Sequence, residues 1–353
     1  MNTKSVDAIA NAVLYEGYML YPYRPSSVKN RQRFNFGVLY PQSYSEEQMG
    51  SDAWSVQTEC LVEGASFSAV EVRARFLKLV DRSVRKLTEL AQSPDGTPGF
   101  ELISSLEVDG KAFTPWQEAI ECDVSVPACN LDALTATPLE WTFAFPAKEE
   151  TEFLRDVRGQ LVGLIARKQE SVQGIAEISA VRAADGLFKV QVRLKNLSAS
   201  DDGSAKASRD AALMRSLVSA HILLGVVDGQ FVSLLEPPED LKGVAASCQN
   251  VGAWPVLVGA EGDRDTMLAS PIILYDYPQI APESPGDLFD GTEIDEILAL
   301  RILTMTDDEK SEMRNTDERA RKMLERTENL PMEHLMKLHG TLRELRSLKE
   351  DMP

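Results

Sequence analysis

The sequence predicts an α+β protein: a β-rich body of antiparallel strands, meander- or sandwich-like, followed by a helical C-terminal extension. Three observations point there. Apolar and polar residues alternate through much of residues 34–278, the period of a half-buried strand. Asp-Gly pairs at 95–96, 109–110, 185–186, 202–203, 228–229 and 290–291 punctuate those runs, and both residues tolerate the positive φ of hairpin turns. From about residue 279 the apolar spacing becomes helical. The body is assigned to residues 1–278, with a candidate sub-boundary at 198–208, and the acidic arm and helical extension to 279–353.

Residues 5–20 carry Val6, Ile9, Ala10, Val13 and Leu14 at helical spacing. Pro22 and Pro25 break any helix, because each lacks the amide donor and disfavours helical geometry just before it. Phe34, Phe36, Val38 and Tyr40 alternate as a strand would, as do residues 54–62 and 70–77. In 70–77 the charged Glu71, Arg73 and Arg75 face away from Val70, Val72, Ala74 and Phe76. Further strands are expected at 100–108, 118–126, 140–146, 160–168, 172–182 and 187–195, with Asp185-Gly186 turning the last pair. Residues 198–208, small and polar, read as a loop or linker. A helix is expected next, with Ala211, Met214, Leu217, Val218 and His221 on one side. A hairpin turning at Asp228-Gly229, a short helix in 239–250, a strand at 254–259 and a last strand at 270–278 complete the body. Thr306 and Glu309 form a capping box, and Pro331 opens a final helix with Leu335, Leu338, Leu342, Leu345 and Leu348 on one face.

The chain has 353 residues and a net charge of −18, which opposes binding to nucleic-acid phosphates. No run approaches the ~20 apolar residues of a membrane span. The first residues lack the apolar core of a secretory signal, and four cysteines make no disulfide framework, so a cytoplasmic location is expected.

Motifs for known chemistry are missing. There is no phosphate-binding glycine loop, no G-x-S-x-G elbow and no H-E-x-x-H. Cys122 and Cys129, with six residues between them, lack the tight pairing of zinc or iron–sulfur ligands and read as small half-buried residues. His334 and His339 point in different directions on one helix. Asp276, Glu283, Asp287, Asp290, Glu293, Asp295 and Glu296 could attract a hard cation, but their spacing matches no calcium loop. No metal or cofactor is assigned.

What stands out is residues 15–41. They hold Tyr18, Tyr21, Tyr23, Arg24, Lys29, Arg31 and Arg33, with no acidic residue between Glu16 and Glu46. The acidic stretch with Tyr275, Asp276 and Tyr277 is the counterpart. Tyr and Arg are enriched at interface hot spots, so the two together are the candidate partner-binding surface, or else a clasp within the chain.

Residues 14–41, 213–241 and 270–310 resemble a bacterial family of accessory or maturation-associated proteins encoded beside NiFe-hydrogenase genes. The resemblance implies a role in assembling or maturing such a hydrogenase, with its subunits or maturation factors as partners. It brings no reaction and no catalytic residues. The expected function is that of a non-catalytic accessory protein. Two alternatives stay open: a metal-assisted hydrolase using acids of 276–296 with His221, and a scaffold subunit of an unrelated complex.

Overall fold

A computed structural model describes residues 3–16, 35–92, 98–199, 208–279, 299–316 and 318–331. The chain divides into two compact units that part after Pro278.

In the first unit, one strand organises the rest. β1 (Ser55–Gln92) runs for 38 residues. Straight, it would reach ~125 Å, so it bends. The bends fall where its register slips against its neighbours: between Gly64 and Ala69, Val70 and Val72, Arg75 and Leu77, and Thr88 and Gln92. The first slip is held by Ser68, whose hydroxyl accepts from the Ala65 amide and donates to the Asp228 carbonyl.

The other strands are β2 (Pro98–Ile103), β3 (Leu106–Val108), β4 (Lys111–Phe113), β5 (Trp116–Asn130), β6 (Leu139–Phe145), β7 (Lys148–Arg155), β8 (Leu161–Gln169), β9 (Val172–Ala184), β10 (Leu187–Asn196), β11 (Val218–Val232), β12 (Trp254–Leu257) and β13 (Thr266–Ser270). Eleven of them form one sheet, through which runs the order β12-β13-β11-β1-β10-β9-β6. β2, β5 and β8 also pair with β1, and β7 pairs with β8; β3 and β4 make a separate hairpin. Every pairing between these strands is antiparallel. The strand-rich α+β class is therefore as expected.

The main apolar cluster takes Val70, Val72, Ala74 and Phe76 from β1, with inward residues of β5, β9, β10, β11 and β13. Phe76 meets Phe143 and Phe145 of β6 at ring separations of 5.9 and 5.6 Å. β6 lies three places from β1 in the strand order, so the sheet curls back on itself around this cluster. α1 (Thr3–Glu16) covers part of another face, packing Val6, Ile9, Ala10 and Val13 on Leu223, Val256, Val258 and Leu268. Short helices α2 (Gln42–Glu47), α3 (Leu131–Ala136), α4 (Arg209–Leu213) and α5 (Lys242–Ala245) fill the connections. Asn130 caps α3 by accepting from the Ala133 amide at 2.9 Å.

Several sequence expectations need correction. Residues 54–62 and 70–77 belong to one strand that continues to Gln92. Residues 35–40 form no strand; Leu39 makes only an isolated bridge to Leu217, and Phe34 lies outside the described residues. The helix expected through His221 stops at Leu213, because pairing with β1 from Val218 onward claims the β-branched run for β11. Asp228-Gly229 does not turn a hairpin. Glu63 and Gln230 pair on one side of Gly64 and Gly229, and the strand resumes on the other, so Asp228 with φ +54 absorbs a bulge. The last strand is Thr266–Ser270 and not 270–278. By contrast, Asp109-Gly110 and Asp185-Gly186 both join adjacent antiparallel strands.

In the second unit, residues 299–303 are helical, followed by α6 (Asp307–Thr316) and α7 (Glu318–Glu328). The capping box is present: the Thr306 amide donates to Glu309 Oε2 at 2.9 Å, and the Glu309 amide to Thr306 Oγ1 at 3.3 Å. Ile302, Met305, Met313, Ala320, Met323 and Leu324 form its core. The leucine stripe at 335–348 lies outside the described residues. Among the described residues no helix is long and apolar enough to cross a membrane.

Candidate functional site

Tyr18, Tyr21, Tyr23, Arg24, Lys29, Arg31 and Arg33 lie outside the described residues, as do the acids from 283 to 296. Tyr275, Asp276 and Tyr277 follow β13 in an irregular segment that bends at Asp276 and Tyr277. Ile272 and Leu274 turn inward onto the cluster beneath α1, which sends Tyr275 outward, 86% exposed. Asp276 is spent on structure: one carboxylate oxygen accepts from Ser233 Oγ at 2.5 Å and the other from the Leu257 amide at 2.7 Å. Tyr277 has φ +55 and packs against the main cluster, and burial raises its phenol above the usual range. Of the three, Tyr275 is the side chain left exposed.

His221 sits on β11 beneath α1, opposite Arg75, and is 1% exposed. Its Nδ1 is 2.6 Å from the Ser219 carbonyl, so Nδ1 carries the proton and donates. Nε2 is buried and, among the described residues, has no hydrogen-bond partner. Burial, with the nearby Arg75 cation, holds the imidazole down to about 4 against its ordinary 6.5. Arg75 donates to Asn11 Oδ1 at 2.7 Å and Glu121 Oε2 at 3.0 Å. Arg73 bridges Asp7 at 2.7 Å and Asp123. This network clasps α1 to β1 and β5. A recess of about 280 Å³ opens beside it, lined by Glu71, Arg73, Ser125, Pro127 and Leu223 among others. The cation that borders the recess is already neutralised by two carboxylates.

Lys78 points into the main cluster, 1% exposed, and donates to the Pro146 carbonyl at 2.8 Å, tying the end of β6 to β1. Burial lowers its pKa. Burial pushes the Cys122 thiol up to about 12 and raises that of Cys129. Both lie on β5, and seven residues of strand separate their Cα atoms by ~23 Å, too far to share a metal or a disulfide. Among the described residues no group of three or more His, Cys, Asp or Glu side chains could hold a metal ion.

The surface most suited to recognition lies where β1 ends. There the strands run in the order β2–β1–β8–β7, and residues directly opposite share a face. On one face Val84, Ile165 and Leu154 are covered by Leu106 of the β3–β4 hairpin. The other face is open. One row reads Leu102–Arg85–Leu164–Phe153 across all four strands, and Leu87 lies opposite Phe100 in the row beside it. Leu102 is 66% and Phe153 57% exposed. The Phe100 and Phe153 rings come from the outer strands yet their centroids are 6.5 Å apart, so they lean toward each other across Leu164, which is buried. Arg85 is exposed, and among the described residues its guanidinium has no hydrogen-bond or ion-pair partner.

Sequence reasoning missed this surface because it ended the strand at residue 77 and placed none at 148–155. Continuing the alternation of β1 past Leu77 would have placed Ser83, Arg85 and Leu87 on one face. In KEETEFLR only Phe153 and Leu154 are apolar, which hides the strand. Neither signal reveals that β2 and β7 flank the same end. The two open edges differ in chemistry. β7 is charged, with Lys148 paired to Glu150 and Glu152 to Arg167, which protects that edge from adding strands.

No protein-family model matches the chain, and no curated protein matches it significantly.

Proposed function

We propose that this chain is a non-catalytic accessory protein that holds partner proteins, the partners being NiFe-hydrogenase subunits or their maturation factors. The observation that carries the binding role is the face that exposes Leu102, Arg85 and Phe153 beside the half-buried Phe100. A sheet face with exposed Phe, Leu and Arg, covered on its back and bare on its front, has the composition of an interface centre. The identity of the partners rests on the family resemblance alone.

The test is affinity purification of the tagged chain from its own cells at native expression, with the recovered proteins identified by mass spectrometry. Wild type should recover hydrogenase components. A Leu102→Lys/Phe153→Lys variant should lose them while keeping its melting temperature, because both side chains are largely solvated already. An Arg24→Glu/Arg31→Glu variant asks the same of the basic island. Absence of hydrogenase components from the wild-type sample would overturn the partner assignment. Equal recovery by wild type and both variants would overturn both surfaces.

A further inference from the structure

We infer that the open face at the β2–β1–β8–β7 end receives a protein segment in which a carboxylate is flanked by apolar side chains, Arg85 taking the carboxylate. This rests on the partner-binding reading above and specifies its chemistry. Three consecutive rows of that face, Phe100–Leu87, Leu102–Arg85–Leu164–Phe153 and Ser83–Ala166–Thr151, contain a single charged side chain, that of Arg85. Among the described residues its guanidinium has no hydrogen-bond or ion-pair partner. A partner that covers the face strips water away from it, and an arginine buried without a counter-charge is strongly unfavourable. The occupant therefore supplies an anionic acceptor over Arg85, and the planar guanidinium fork matches a carboxylate in two parallel hydrogen bonds. Around that point Leu102 and Phe153 are exposed and Phe100 half-buried, so the residues on either side of the acid are apolar.

The experiment selects random twelve-residue peptides displayed on phage against the purified full chain and, in parallel, against Arg85→Glu and Phe153→Lys. Circular dichroism melts confirm that all three proteins are folded. Wild type should enrich sequences with Asp or Glu between apolar residues. A synthetic peptide of the enriched sequence should bind wild type at least tenfold more tightly than Arg85→Glu, and should weaken similarly when its own acid becomes the amide. Arg85→Glu should instead enrich Lys or Arg at that position. Enriched peptides that bind Phe153→Lys as well as wild type, or no enrichment on wild type, overturn the docking face. Apolar peptides without an acid, bound equally by Arg85→Glu, overturn the carboxylate chemistry. If cellular partners are still recovered in that last case and are lost in Leu102→Lys/Phe153→Lys, the partner-binding reading stands and only this refinement fails.

Discussion

Replacing His221 with leucine should flatten the acid limb of the body's stability. In the folded chain the ring is buried opposite Arg75, near the ion pairs that Asp7, Glu121 and Asp123 make, and its pKa falls to about 4. In the unfolded chain it titrates near 6.5. Between those values the unfolded state binds a proton that the folded state refuses. Stability therefore falls as pH drops through that window, and this contribution stops changing below about 4. Each pH unit inside the window costs about 1.4 kcal/mol, so the fall from pH 7 to pH 5 amounts to about 2 kcal/mol from this residue alone. His221→Leu removes that proton and keeps much of the buried volume, at the cost of the Ser219 hydrogen bond, about 1 kcal/mol at pH 7. Urea unfolding of wild type and variant at pH 7, 6 and 5 measures the effect. The variant should gain about 2 kcal/mol relative to wild type between pH 7 and pH 5. Parallel pH dependences for the two proteins would refute the placement of a neutral buried imidazole beneath α1.

Two further perturbations probe how the body is closed. Asn196 is fully buried, donates to the carbonyls of Leu39 and Arg215 at 2.8 and 2.9 Å, and accepts from the Ser198 amide at 2.9 Å. Asn196→Ala removes all three bonds, although the Leu39 carbonyl keeps the one from the Leu217 amide, and should cost about 2 kcal/mol or more by urea unfolding; a loss below about 1 kcal/mol would contradict that bonding. At Gly174 an added methyl would clash with Phe143 Cζ and lie 2.6 Å from the Lys195 carbonyl. Gly174→Ala should cost about 1–3 kcal/mol and disturb the ring packing of Phe143 on Phe76, visible in the aromatic methyl-contact region of NMR spectra. An unchanged melting temperature would show that β6 does not press on β9 at this point.

Local chemistry fixes a good deal of this molecule. Asp109-Gly110 and Asp185-Gly186 turn hairpins because Asp109, Gly110 and Gly186 take the positive φ that tight turns need. The Thr306–Glu309 box starts its helix because both partners lie within one turn. Alternation in 70–77 assigns the faces of β1, and the i+3/i+4 pattern of Val6, Ile9, Ala10 and Val13 assigns the buried side of α1. Each of these depends on neighbours within a few residues.

Only the tertiary structure decided the rest. Asp228-Gly229 carries the same turn signal as its counterparts, yet β1 runs on beside it and holds β11 extended through a bulge. His221 belongs to a helical pattern by spacing but to a strand by pairing. Asp276, which looked like half of a docking motif, is consumed by Ser233 and Leu257 from 43 and 19 residues away. The partly exposed face exists because β2, β1, β8 and β7 bring Leu102, Arg85, Leu164 and Phe153 into one row, residues that span 79 positions from Arg85 to Leu164. Sequence periodicity reports which way a side chain points relative to its own strand. Which strands lie alongside, and what is left uncovered once they do, follows from long-range pairing energies that no local pattern encodes.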